Sequence, residues 1–586
     1  MNMRDGFNLL ATAPEGVVRL REMVLSLAMQ GKLVAQHPND EQANELLRRI
    51  QTEKGRLINE RRIKRGPPLL GISESEKPFQ LPRGWEWVRA QDICTVITDG
   101  DHQPPPKADV GVPFLVISNV RWGAPDVASA SRFVPKDYFD ELDWSKKPAV
   151  GDILYTTVGS FGIPAPVTDD VQFCFQRHIA LFRPAHACLQ PFLNLALASN
   201  LVFEQASASA TGTAQKTVPL SALRNLKIPL PPIDEQARIV AKVSELMHLC
   251  DELEVQGKLE LEQHARLVST LFDALTASES PQALAENWSR VAAHFDLLLD
   301  RPQAVDALEQ LILELAVRGL LVPQDSSDEP AGKVLDRITT YKRDQTASGR
   351  GSGRSVRAGI LDRAELNELP NGWVWTQLSD LLTKLGSGST PLGGKEVYVD
   401  SGIKFLRSQN IWNDGLRLEG VAHITAATHA NMSGTQVLPG DLLFNITGAS
   451  IGRCAVVPAD FDEANVSQHV AIVRPAFNET TSYLHLVLIS RHVQQAVMDV
   501  QVGVSREGLS MKKLGLFAIP FPPLEEQVRI VARVNELRAI CKNLREHLIE
   551  RQACQSRFAD SLVEQSLESR IHSMGDMREM ADVTVG

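Results

Sequence analysis

A chain of 586 residues is expected to hold several domains. Its formal net charge of −10 argues against a nonspecific nucleic-acid binder, whose affinity would come from phosphate neutralisation, but allows sequence-specific binding by locally basic domains. Seven cysteines (94, 174, 188, 250, 454, 541 and 554) form no CxxC pair and no Cys/His metal spacing, the N-terminus lacks an export pattern, and no apolar run reaches the roughly 18 residues that span a bilayer; a reduced cytoplasm and no membrane are expected.

In chain order, Leu20, Val24, Leu27 and Ala28 fall on one helical stripe that Gly31 is placed to stop. A second helix is predicted over 42–54. A basic connector follows, with Lys54, Arg56, Arg61, Arg62, Lys64 and Arg65 against Glu53 and Glu60. It reads as a poorly structured tether, or as a tether that also touches a polyanion.

Leu81-Pro82-Arg83-Gly84-Trp85-Glu86-Trp87 then opens a mixed α/β region with short strand signals at 114–120, 151–155 and 178–184. Trp85 and Trp87 read as core residues, and His178 as a core or hydrogen-bonding residue. Pro231-Pro232-Ile233-Asp234-Glu235-Gln236 ends the region and starts a long helix. In it Ile239, Val243, Leu246, Cys250 and Leu253 step by the 4, 3 spacing of a coiled-coil seam, blurring after Gly257.

The same order then repeats. The helix at 308–322 matches 20–34, with Leu308, Ile312, Leu315 and Ala316 on the stripe and Gly319 as its stop. A second basic connector holds Lys342, Arg343, Arg350, Arg354, Arg357 and Arg363. Leu369-Pro370-Asn371-Gly372-Trp373-Val374-Trp375 lies 288 positions after its first copy, and Pro522-Pro523-Leu524-Glu525-Glu526-Gln527 lies 291 after its own. The last helix carries the seam Ile530, Val534, Leu537, Cys541, Leu544 and Leu548. So long a period means domain duplication and not a stacked array. The shared segments repeat while the loops between them differ, as in two domains with one scaffold and two ligands.

No catalytic constellation emerges. Gly212-Thr213-Ala214-Gln215-Lys216-Thr217 lacks the spacing of a phosphate loop, and Gly386-Ser387-Gly388-Ser389-Thr390 runs into Pro391 and reads as a loop. No HExxH, GxSxG or zinc cluster is present, so neither catalytic nor metal residues are expected.

Taken together, the Leu-Pro-x-Gly-Trp-x-Trp openings, the Gly151-Asp152 and Gly440-Asp441 strands, and the two Pro-Pro-x-x-Glu-Gln helices resemble the specificity subunit of type I restriction–modification systems. The resemblance covers most of the chain. It implies an α+β fold: two similar α/β target-recognition domains separated by long antiparallel coiled-coil helices, with an internal pseudo-two-fold repeat. The implied division is an N-terminal helical arm and connector (1–80), a first recognition domain (81–228), central spacer helices and connector (229–367), a second recognition domain (368–519) and a C-terminal spacer helix (520–586).

The resemblance also implies a noncatalytic subunit that recognises a bipartite, asymmetric site on double-stranded DNA. It would dock two methyltransferase subunits, and two restriction subunits where a nuclease partner exists. S-adenosylmethionine would sit in the methyltransferase, ATP and Mg in the restriction subunit, and no cofactor in this chain. The alternative is a noncatalytic coiled-coil scaffold for proteins alone. Candidate DNA-reading residues are polar or basic, lie in loops and differ between the copies: Gln103, Arg121 and Lys216, then Arg407, Gln409, Asn410, Arg506 and Lys512. Asn119 and Asn410 occupy the same place in both copies, which also suits a turn role. Ile239, Val243, Leu246 and Leu253, with Ile530, Val534, Leu537 and Leu544, are the candidate spacer-helix residues.

Overall fold

A computed structural model describes residues 13–63, 71–100, 105–186, 189–212, 215–278, 281–347, 368–393, 397–502 and 508–582. The chain divides into two compact units, one of residues 1–260 with 552–586, the other of residues 261–551.

The first unit opens with α1 (Gly16–Met29) and α2 (Ala43–Asn59). Gly31 follows α1 at φ +66°, a left-handed stop that glycine adopts without steric cost. A Cβ there would lie 2.5 Å from Cγ of Pro82 and 3.0 Å from Cζ2 of Trp85, so the turn also fits closely against the domain's opening motif. The described part of the first connector is more ordered than the sequence predicts; Lys64 and Arg65 lie outside the described residues. α2 runs on to Asn59, taking in Lys54 and Arg56; Lys54 donates to the carbonyl of Gln91, and Arg56 pairs with Glu53 and Glu60. Beyond the helix, Arg62 stacks on Trp144, whose indole donates to the Arg62 carbonyl at 3.0 Å.

Strand β1 (Glu86–Arg89) pairs antiparallel with β9 (Lys227–Leu230), Trp87 opposite Pro229. The motif that opens the domain and the one that closes it are thus neighbours at its base. Between them lie β2 (Cys94–Asp99), β3 (Val112–Leu115), β4 (Phe133–Val134), β5 (Ile153–Thr156), β6 (Pro164–Pro166), β7 (Cys174–Phe175) and β8 (Ile179–Pro184). One sheet runs β2-β8-β5-β6, all antiparallel; the other runs β4-β3-β7, with β3 and β7 parallel. Successive side chains of a strand point to opposite faces. Ile153, Tyr155, Ala180 and Phe182 therefore pack against α1, α2, α3 (Gln190–Ala198) and α4 (Asn200–Ala208), while Leu154, Ile179 and Leu181 face Leu115 and Phe175 of the second sheet. Burial on both faces explains the unbroken apolar run in Ile153-Leu154-Tyr155. The expected strand at 114–120 is shorter, because Ile117–Asn119 turn helically.

The long helix α5 (Ile233–Thr276) passes through Gly257 without a break. Its Ile239 and Val243 are buried in the domain core with α1, and Leu246 packs at that core's edge. Leu253 packs beside Cys250 and Leu20 of α1. Arg21 of α1 reaches Asp251 at 2.7 Å and Glu254 at 2.8 Å; Leu20 lies by Cys250 while Val24 and Ala28 share the core with Ile239 and Val243, so α1 runs antiparallel along α5. Within this unit the seam is covered by the domain and α1 and, at Cys250 and Leu253, also by Ala559 and Val563 near the end of the chain.

The second unit repeats the plan. α6 (Pro281–Ala292), α7 (Pro302–Val317) and α8 (Ala331–Ala347) precede its sheets. α8 takes Lys342 and Arg343 into the helix, and Lys342 donates to the carbonyls of Ser379 and Asp380; the remainder of that connector, 348–367, lies outside the described residues. β10 (Val374–Gln377) pairs with β21 (Ala518–Phe521), Trp375 opposite Pro520. The main sheet is β11 (Leu382–Ser387), β20 (Val470–Pro475), β17 (Leu442–Asn445) and β18 (Cys454–Val456), in that order. Gly386 and Ser387 thus end a strand where the sequence predicts only a loop. The second sheet is β12 (Tyr398–Val399), β16 (Ala422–Ile424), β13 (Ile403–Leu406) and β19 (Ala464–Val466), with β13 and β19 parallel. A small hairpin, β14 (Ile411–Trp412) with β15 (Gly415–Leu416), stands between β13 and β16 in sequence. α9 (Thr481–Ile489) and α10 (Arg491–Val502) lead to the long α11 (Leu524–Asp582). Ile530 and Val534 are buried in this unit's core with α7, and Leu537 and Leu544 pack against it. Arg545 pairs with Asp306 and Glu309 of α7.

Four polar links recur at matching places in both units. Trp85 Nε1 donates to Glu235 at 3.0 Å, and Trp373 to Glu526 at 2.9 Å. Gln236 Nε2 donates to the Pro231 carbonyl, and Gln527 Nε2 to that of Pro522, each at 2.9 Å. Arg238 pairs with Asp40, and Arg529 with Asp328, at 2.5 Å. Arg183 pairs with the buried Asp152, and Arg474 with the buried Asp441, at 2.6 Å. The motif residues that stand out in sequence are thus the joints of the frame.

Candidate nucleic-acid interface

Backbone hydrogen bonds gather several loops at one end of each domain. In the first, Thr157 N–H donates to the His178 carbonyl (3.0 Å), Val218 N–H to that of Thr157 (2.9 Å), Gly159 N–H to that of Lys216 (3.1 Å) and Gln176 N–H to that of Leu115 (3.0 Å). The loops after β3, β5 and β7 and the one ahead of β9 therefore form a common rim. In the second, Ile446 N–H donates to the His469 carbonyl (3.0 Å), Leu509 N–H to that of Ile446 (2.8 Å) and Ser467 N–H to that of Leu406 (2.9 Å). The rim is the same; its side chains are not.

On the first rim Lys216 is exposed, with its backbone tied to Gly159. Arg177 is exposed beside His178, and its Nε lies 3.3 Å from the imidazole Nε2. Burial, then the Arg177 charge, lowers the pKa of His178 and favours the neutral ring. Arg121 is exposed and pairs with Asp126 at 3.4 Å across a tight turn whose other tip residue, Trp122, is 61% exposed. On the second rim the place of Arg177 is taken by Gln468 and that of Arg121 by Trp412. Arg407 is exposed and stacks over Tyr398 at 5.6 Å; Gln409 and Lys512 are exposed. His469 is exposed at the turn into β20, where Nδ1 lies 2.7 Å from Thr447 Oγ1. Of the two roles expected for the paired histidines, core or hydrogen-bonding, the second holds: both stand on the rims and engage in hydrogen bonds.

Asn410 leaves the list of base readers. It is 2% exposed, its Oδ1 accepts from Arg407 N–H at 2.9 Å and its Nδ2 donates to the Arg417 carbonyl at 2.8 Å. Asn119 closes the first domain's turn in the same way, through Val116 N–H at 2.9 Å. Both amides replace backbone partners that a tight turn leaves unpaired. Gln103 and Arg506 lie outside the described residues.

Sequence reasoning passes over Trp122, Arg177, Arg417 and Arg453, which the structure brings to the rims. A signal existed for Arg177: it stands beside a repeated histidine yet differs between the copies. Among the described residues no group of three or more His, Cys, Asp or Glu is disposed to hold a metal ion, and no helix is long and apolar enough to cross a membrane.

The chain matches the type I restriction modification DNA specificity domain twice, over residues 82–263 and 370–551, which are the two copies of the repeat. It is 31% identical to the Escherichia coli type I restriction enzyme EcoAI specificity subunit and 30% identical to the EcoEI specificity subunit of the same organism, each alignment covering 94% of both chains. A crystal structure of the HsdS subunit from Thermoanaerobacter tengcongensis superposes with a TM-score of 0.37 at 19% identity, over 84% of this chain and 98% of that one; so low a score adds nothing to the assignment. With two matched domains and relatives aligned over 94% of both chains, the chain belongs to the family of type I restriction–modification specificity subunits.

Proposed function

We propose that this chain reads a bipartite, asymmetric site on double-stranded DNA, one half-site per domain, and carries the methyltransferase subunits that modify it. As a specificity subunit it is noncatalytic. The observation that carries the reading is the coincidence of the two frames together with the divergence of their rims: Arg177 against Gln468, Arg121 against Trp412. One scaffold with two sets of polar rim residues suits two different base sequences. Arg121, Lys216, Arg407, Gln409 and Lys512 are exposed where such contacts would be made.

In this reading α5 and α11 act as an antiparallel coiled-coil spacer that sets the gap between half-sites and offers docking places to two methyltransferase subunits, and to two restriction subunits where these exist. α5 alone has 44 residues, roughly 66 Å at 1.5 Å per residue, ample for half-sites one turn or about 34 Å apart. S-adenosylmethionine would be bound by the methyltransferase, ATP and Mg by the restriction subunit, all in the cytoplasm. The test is an adenine-methylation map of a methylation-free bacterial host expressing the chain with its methyltransferase partner. A split motif with two unlike halves and a constant gap is expected. No new methylation from a soluble, assembled complex would overturn the reading in favour of a protein-only scaffold.

A further inference from the structure

Trp412, at the end of β14, has a guanidinium on each side. Cζ of Arg417 lies 3.8 Å and Cζ of Arg453 3.7 Å from the centre of its ring. Two guanidiniums so close to one ring centre cannot share a face, so they flank the indole. The ring is also fixed at its edge and base: Nε1 donates to the Gln409 carbonyl at 3.0 Å, and Asn413 Oδ1 accepts from Cys454 N–H at 3.0 Å, which ties the hairpin to β18.

The two arginines differ in what else they touch. Arg417 has Asp414 at 3.4 Å. Arg453 is half-buried, and no side chain or carbonyl among the described residues accepts from its guanidinium. Its nitrogens are not among the buried side-chain atoms left without a partner, so water can reach them and an acceptor from outside the chain can take the place of that water. The comparable site in the first unit behaves otherwise. There Trp144 is flanked by Arg62 and Arg183 at 5.2 and 4.9 Å, and Arg183 is also bonded to both oxygens of Asp152 at 2.8 and 2.6 Å. That arrangement joins parts of the fold, whereas the Arg453 fork of donors meets no acceptor among the described residues.

Arg453 closes the turn between β17 and β18, the turn whose other end, Ile446, is bonded to the rim at His469 and Leu509. The first domain has Arg121, Asp126 and Ile163 at the places of Trp412, Arg417 and Arg453. An ion pair of 3.4 Å between Arg121 and Asp126 stands there in place of the clamp. The device belongs to one domain only, as a specificity element must.

We propose that the Trp412 clamp presents Arg453 as a base-reading residue of the second half-site, its paired N–H donors taking O6 and N7 of a guanine. The proposal rests on the DNA-reading function given above. A phosphate needs only a charge within reach. A guanidinium held flat and fixed in direction suits the paired acceptors on the guanine edge.

The test uses the chain assembled with its methyltransferase partner, as wild type and as Arg453→Ala, Arg453→Lys and Trp412→Leu. Binding is measured on duplexes in which each base pair of the target is replaced in turn, and each complex is also mapped for methylation. Arg453→Ala is expected to lower discrimination at one G·C pair of the second half-site by about tenfold or more, with the first half-site read as before. Trp412→Leu keeps the guanidinium but releases it, and weakens discrimination at that same pair. Arg453→Lys, the variant that best preserves the fold, keeps overall affinity and loses part of the discrimination. Equal weakening on every sequence, with the salt slope reduced by about 0.9, would make Arg453 a phosphate contact and overturn the proposal. An unchanged motif in Arg453→Ala would overturn it too, while leaving the two-domain function intact. A wild-type complex with no second half-site would overturn both.

Discussion

The indole Nε1 of Trp85 donates to Oε2 of Glu235 at 3.0 Å, joining residues 150 positions apart. Trp85 belongs to the segment that opens the first recognition domain and Glu235 to the first turn of the helix that leaves it. Both are buried, and the strands between them pair Glu86 with Leu230. The bond thus fixes the angle at which the long helix departs from the domain, and Trp373 with Glu526 does so again. Any account in which the helices set the distance between two DNA half-sites needs such a rigid joint.

Trp85→Phe and Trp373→Phe keep most of the ring packing but take the indole donor from a buried carboxyl; Glu526 keeps a second donor, Gln324 Nε2 at 3.3 Å. Each is expected to cost about 1–3 kcal/mol. Equilibrium urea unfolding measures this, and a cost near zero would show that the joint is held by packing alone.

Glu235 and Glu526 also set a pH dependence. Burial is the larger influence and raises both carboxyl pKa values, while the indole donors pull the other way. A carboxyl whose folded pKa lies above its unfolded one adds stability below the unfolded value, and that addition is lost as pH rises through the folded value. Glu235→Gln with Glu526→Gln removes both titrations. The melting temperature of the double variant should therefore fall less than that of the wild type between acid and neutral pH. Parallel curves would contradict the assignment.

Two glycines should respond in opposite directions. Gly319 has φ +68°, and a Cβ would stand 2.5 Å from Cγ of Pro370 and 3.0 Å from Cζ2 of Trp373. Gly319→Ala is expected to destabilise by roughly 1–2 kcal/mol from the left-handed backbone, and further from the clash. Gly257 lies inside α5 with no atom within 4 Å of a Cβ. Gly257→Ala should stabilise by roughly 0.5–1 kcal/mol. Thermal unfolding of the two variants side by side decides the point.

Lys216 offers the first domain's test of DNA contact. Its exposed ammonium on the rim suits a phosphate. Lys216→Ala should weaken binding of the assembled complex similarly on all sequences and reduce the salt slope by about 0.9. Unchanged affinity and slope would remove it from the interface.

The frame was legible in the sequence because the motifs that form its joints are short and repeated in place. Two tryptophan motifs, two Pro-Pro-x-x-Glu-Gln helices and two Gly-Asp strands recur at nearly constant offset, and each proves to be a strand pair, a buried hydrogen bond or a buried ion pair. The 4, 3 spacing located the buried face of the long helices but not what covers it. Periodicity cannot tell a seam facing another long helix from one facing α1 or α7, and within the units Ile239 and Ile530 face the latter with the domain cores. The rim was the least legible part. Asn410 looked like a reader because it is polar and in a loop, yet its amide is taken up by its own turn. Arg453 and Trp412 are 41 positions apart in segments without repeat, and only the pairing of β17 with β18 and the hairpin's tie to Cys454 bring them together.

Independent reading of one half of the target by each domain is tested most directly by a chain in which a second copy of residues 81–228 replaces residues 368–519. Co-expressed with its methyltransferase partner and mapped for adenine methylation, it should mark a symmetric motif with the first half-site on both sides of the gap. Retention of the original unlike halves, or loss of every specific motif by a soluble and assembled complex, would contradict the claim.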